Sequence, residues 1–88
     1  MGKLMISISS PEVALKICRI CNDFRFEIDA VNGRYAIDAK SALGMQGLVG
    51  ADVEIRPVHK DVDYEPLFNR LVEIGGRLEE DFKEEQGV

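Results

Sequence analysis

The sequence is poor in the residues that most soluble chemistry relies on. It has one histidine, two cysteines and no long uninterrupted apolar run among its 88 residues, and its 11 Lys and Arg are outnumbered by 16 Asp and Glu. Each shortage excludes something. A net charge of −5 argues against a nucleic-acid partner, because gripping phosphate backbones takes clustered cations. The short, serine-interrupted apolar stretch after Met1-Gly2-Lys3 is too brief for a signal peptide or a membrane span, which predicts a cytoplasmic protein without membrane contact. Two cysteines do not make a disulfide scaffold and are expected to stay reduced. Cys18, Cys21 and His59 together supply only three ligands where structural zinc wants four, so no metal and no cofactor is implied.

What is present is enough for one compact domain covering residues 1–88. From Lys3 to Ser9 the chain alternates, with Leu4, Ile6 and Ile8 on one side, the period of a half-buried strand. Ser10 then stands as a helix N-cap before Pro11 and Glu12. The helix runs to about Phe24 with Ala14, Ile17, Cys18, Cys21 and Phe24 on its apolar stripe. Cys18 and Cys21 have CxxC spacing. Inside a helix, however, they lie one turn apart on the buried face, where a thiol behaves as a small hydrophobe.

Strand-like alternation returns from about Arg25 to Val31 and from Arg34 to Ala39, with Phe26, Ile28, Ala30, Tyr35, Ile37 and Ala39 inward. Asn32-Gly33 between them is a strong hairpin signal. A fourth strand covers Ala51 to Pro57, with Ala51, Val53 and Ile55 inward. After a polar linker holding His59, the last helix opens near Asp63 to Pro66. Tyr64, Leu67, Phe68, Leu71, Ile74, Leu78 and Phe82 keep helical spacing, with Gly75-Gly76 as a point where the helix bends or shortens and an acidic, solvated end from Glu79 to Glu85. The pattern predicts an α+β fold: a four-stranded antiparallel sheet with one wet face and three helices on the other, in the order β-α-β-β-α-β-α.

The stretch Asp38 to Gly50 is the least ordinary. Ser41 sits at the N-cap of a short helix weakened by Gly44, Gly47 and Gly50, and a phosphate on its hydroxyl would lie at the positive end of that helix. So short a helix cannot bury all of Leu43, Met45 and Leu48, which together with Lys40 form a candidate protein-binding surface.

The element order, Asn32-Gly33 and the segment Ala39-Lys40-Ser41-Ala42-Leu43-Gly44-Met45 resemble the histidine-containing phosphocarrier (HPr) family of the bacterial sugar phosphotransferase system. The resemblance covers nearly the whole chain and implies an HPr-like open-faced sandwich. In the family, phosphate passes from phosphoenolpyruvate through enzyme I to a histidine at the start of the first helix, and a serine kinase modifies a regulatory serine, here Ser41. Counting back from Ser41, the histidine position holds Ser10, and the family's arginine and proline positions hold Glu12 and Val13. A hydroxyl without a neighbouring base is a poor nucleophile, and Glu12 repels a phosphoryl group. The resemblance therefore implies a non-enzymatic regulatory or protein-binding module, with enzyme I, a serine kinase or a transcription regulator as partner classes. The alternatives are a carrier that uses His59 or Ser10, and a structural or oligomerisation domain.

Overall fold

The computed structural model describes residues 2–80. Eight elements follow in chain order: β1 (Lys3–Ser7), α1 (Pro11–Asn22), β2 (Ile28–Asn32), β3 (Tyr35–Asp38), α2 (Ala42–Gln46), β4 (Asp52–Pro57), α3 (Glu65–Glu73) and β5 (Arg77–Glu79). The strands form one antiparallel sheet in the order β3-β2-β4-β1-β5. Among the described residues the fold is thus α+β with three helices and five strands, one strand more than the alternation in the sequence predicts.

The extra strand comes from the segment expected to continue the last helix. Leu71, Ile74 and Leu78 do keep helical spacing, but α3 stops at Glu73. Gly75 takes φ +114°, and its N–H bonds to the Val72 carbonyl while that of Gly76 bonds to the Leu71 carbonyl at 2.8 Å. This pair of backward bonds around a left-handed glycine is a Schellman stop, which satisfies the last carbonyls and turns the chain away from the helix axis. A Cβ on Gly76 would meet Leu4 Cδ1 at 2.8 Å and the Leu71 carbonyl oxygen at 2.9 Å, so the turn also needs a residue without a side chain. The chain then runs back beside β1, pairing Leu4 with Leu78 and Lys3 with Glu79. Glu79 accordingly lies in a strand rather than in a helical tail. Phe82 and the acids from Asp81 to Glu85 lie outside the described residues.

Other boundaries move less. β2 begins at Ile28 rather than Arg25, leaving Phe24 and Phe26 in the connection, where their rings meet at a tilt with centroids 5.6 Å apart and pack against the core. Asn32 and Tyr35 pair across the hairpin, so its two loop residues are Gly33 and Arg34. Gly33 has φ +61°, the positive-φ first loop position that suits the twist of the flanking strands. Tyr35, expected inward, is 72% exposed because its register position lies beyond the edge of the core.

The core is built as the alternation demands. Leu4, Ile6, Ile28, Ala30, Val53 and Ile55 from the sheet, with Ile8 just past β1, meet Ala14, Ile17, Cys18, Ile20 and Cys21 of α1 and Leu67, Phe68 and Leu71 of α3. No polar side chain is buried among the described residues, so cohesion rests on apolar packing. The open face carries charge: Arg77 bonds Asp52 at 2.9 Å, and Arg56 bonds Glu54 at 2.7 Å.

Candidate functional site

The helix starts singled out in the sequence are both capped as expected. Ser10, with φ −159° and ψ 164°, accepts a bond from the Val13 N–H at 3.2 Å, and Ser41 accepts one from the Gly44 N–H at 3.1 Å. In each case the hydroxyl oxygen satisfies a first-turn amide that would otherwise lack a partner. Neither hydroxyl has a side-chain base as hydrogen-bond partner among the described residues, so nothing there raises its nucleophilicity.

The two serines are not neighbours. The Gln46 side-chain N–H donates to the Pro11 carbonyl at 3.2 Å, while the Lys40 carbonyl accepts from Asn22 Nδ2 at 3.0 Å and from Cys18 Sγ at 3.3 Å. Thus α2 lies antiparallel to α1, with its C-terminal end beside the start of α1 and its N-terminal end beside the last turns. Ser41 and Ser10 therefore mark opposite ends of the α1–α2 seam. His59 is remote from Ser10 as well. Because β4 runs antiparallel to β1, with Ser7 opposite Asp52 and Leu4 opposite Ile55, the loop after Pro57 emerges at the other end of the sheet from Ser10. His59 is exposed there, 3.7 Å from Glu27.

Lys40 has a different task from the one its sequence position suggests. Its backbone N–H bonds to Asp38 Oδ1 at 2.9 Å, its ammonium bonds to the Phe24 carbonyl, and its own carbonyl takes the Cys18 and Asn22 donors just described. Lys40 is a clamp between the end of α1 and the start of α2, half-buried rather than presented to solvent.

The expected apolar surface separates into exposed and buried members. Met45 is fully buried, and Leu48 packs partly against the core, so neither is a free docking residue. The reason lies at Gly44: a Cβ there would come within 2.7 Å of Ile37 Cγ2. Without one, α2 sits flush against β3 and pushes the Met45 side chain inward. Leu43 is left 86% exposed, one turn before Gln46 on the row that reaches α1. Leu15, 36% exposed, belongs to the row of Pro11, Cys18 and Asn22 that faces α2, so the two leucines flank the seam from either side. Val49, just past the end of α2, is exposed too. Leu15 is not on the apolar stripe that the sequence marks for α1; its four-residue spacing from Pro11 is the signal that places it on this row.

The cysteines lie in the core. Both are free and buried, and burial, with Cys18 close by, pushes the Cys21 thiol up to about 12, leaving it protonated at any ordinary pH. Among the described residues no cluster of His, Cys, Asp and Glu is arranged to hold a metal ion, and no helix is long and apolar enough to cross a membrane. What the α1–α2 seam offers is an apolar contact surface beside a capping hydroxyl. No family model, no curated protein and no solved structure matches the chain.

Proposed function

We propose that the protein is a divergent HPr-like regulatory module that binds other proteins through the α1–α2 seam and is controlled by phosphorylation of Ser41. The observation that carries the reading is Leu43, 86% exposed immediately after the Ser41 cap on a helix whose other large apolar side chain, Met45, is buried. An exposed leucine flanked by Leu15 and Val49 is a surface for a partner. The element order from β1 to α3 fits the HPr resemblance, to which β5 is an addition.

A phosphate on Ser41 adds a charge of about −1.5 to −2. Asp38, whose carboxylate already accepts the Lys40 N–H, stands close to the same point, and the Lys40 ammonium is engaged at the Phe24 carbonyl. The new charge therefore meets the helix amides but no free cation from these residues, and it alters both the charge beside Leu43 and the order of the first turn. In this reading the modification weakens or replaces a partner that docks on Leu43.

The test is incubation with ATP and an HPr-type serine kinase, with Ser41→Ala and Leu43→Glu as controls. Label on wild type and Leu43→Glu but not on Ser41→Ala supports control at Ser41. Absence of label from the wild-type chain overturns it. Binding to enzyme I or a transcription regulator that survives Leu43→Glu overturns the seam as the docking surface.

A further inference from the structure

The sheet has an edge that its helix layer does not cover. Leu78 lies opposite the buried Leu4, hence on the helix side of the sheet, yet it is 60% exposed because α3 stops short of β5. Beside it a groove of about 650 Å³ opens between β5 and α3, with Val62, Tyr64, Phe68 and Leu78 as its apolar lining. Among the described residues nothing pairs with the outer side of β5, so a row of backbone donors and acceptors is presented next to exposed apolar surface. Natural sheets rarely leave that combination open.

The sequence of the edge selects its occupant. β5 reads Arg77-Leu78-Glu79, a cation and an anion placed symmetrically about a leucine. Laid antiparallel against an identical strand with Leu78 at the centre, Arg77 of each copy faces Glu79 of the other, and Leu78 faces Leu78. Opposite charges directly across an antiparallel pair stabilise it, and a two-fold axis requires this kind of self-complementary register. Glu80 then falls opposite Gly76, which has no side chain to obstruct it. The chain's own residues 81–88 are a poorer match, since Asp81, Glu84 and Glu85 against Lys83 would bring net negative charge to a groove lined by Asp63, Glu65, Glu79 and Glu80 against the single cation Lys60.

We infer that a second copy of this chain docks on β5, joining two five-stranded sheets into one continuous ten-stranded sheet about a two-fold axis at Leu78. Three-residue strands and one apolar cluster make a small interface, well under the roughly 1,200 Å² of stable complexes. The dimer is therefore weak and forms where the chain is concentrated. The α1–α2 seam lies toward the β3 side of the sheet and stays free in the dimer, so this inference does not depend on the function proposed for it.

Analytical ultracentrifugation of the full chain across a concentration series reads the association, and amide NMR shifts locate it. Wild type is expected to move above the 9.8 kDa monomer mass with concentration-dependent shifts confined to Arg77 to Glu80 and the groove. Glu79→Arg and Arg77→Glu each place like charges opposite one another and should each be monomeric. Mixed together they restore both opposite-charge pairs, since one chain then carries two acids and the other two bases, and a heterodimer should form. Arg77→Glu also removes the bond to Asp52, so its fold is checked by circular dichroism; the Arg77→Glu, Glu79→Arg double variant, which inverts the pattern within one chain, should self-associate like wild type. A wild-type mass that stays monomeric up to about 1 mM, or association unchanged by Glu79→Arg, overturns the proposal.

Discussion

Replacing Gly44 with alanine sets two effects of similar size against each other. In a helix interior alanine is favoured over glycine by at most about 1 kcal/mol, so on propensity alone Gly44→Ala should stabilise α2. The added Cβ, however, would lie 2.7 Å from Ile37 Cγ2, a branch methyl held by the stiff first torsion of isoleucine rather than the free end of a long side chain. Overpacking of this kind costs about 1–3 kcal/mol, so the net expectation is a loss of about 0–2 kcal/mol. In an Ile37→Ala background the obstructing methyl is gone, and the same change should now stabilise by up to about 1 kcal/mol. The double-mutant cycle thus predicts a coupling energy of about 1–3 kcal/mol and a reversal of sign. Urea denaturation followed at 222 nm on the four proteins measures it, with each 1 kcal/mol also moving Tm by about 4–8 °C for a domain of this size. Equal effects of Gly44→Ala in both backgrounds would refute the reasoning, because the close approach to Ile37 would then not be what keeps residue 44 bare.

Two further expectations test the burial of particular side chains. Met45→Ala should cost about 2–5 kcal/mol, whereas Leu43→Ala, two residues away, should stay within about 0.5 kcal/mol of wild type; equal costs by thermal denaturation would contradict the inward seating of α2. Burial raises the Cys21 thiol from its ordinary 9.0 to about 12, so the protonated form is favoured by folding. The resulting stability is complete below pH 9 and is lost as pH rises towards 12, the loss reaching about 1.4 kcal/mol at pH 10. Urea midpoints from pH 8 to 10.5 should therefore fall more steeply for wild type than for Cys21→Ala, and parallel slopes would show the thiol ionising freely.

The elements legible in the sequence are those that local chemistry determines. Leu4, Ile6 and Ile8 alternate because one face of β1 is buried, and Ser10 and Ser41 are recognisable as caps because a cap is made with an amide three residues away. The stop after α3 was half legible. Gly75-Gly76 signalled a bend, but Leu78 continued the helical spacing, and a three-residue alternation cannot be distinguished from that stripe without knowing that β1 has an unpaired side waiting for it. The candidate site follows the same division. That Leu43, Met45 and Leu48 could not all be buried was readable from the shortness of α2, while which of them is buried depended on how closely Gly44 lets the helix approach Ile37, a contact between segments that no local pattern encodes. Lys40 resembled a surface cation because nothing in its neighbourhood in sequence reveals the Phe24 carbonyl that its ammonium meets.

The pairing of β5 with β1 has a mechanical side. Lys3 stands opposite Glu79 at the same end of the ladder, so tension applied between these two residues pulls the strands apart one backbone hydrogen bond at a time instead of shearing them all together. β1 is also held along its other edge by β4, from Leu4 opposite Ile55 to Ser7 opposite Asp52. A load at the two ends therefore peels β5 away first and leaves β1 seated in the sheet. The last strand acts as a releasable flap, undone at low force while the core behind it remains closed.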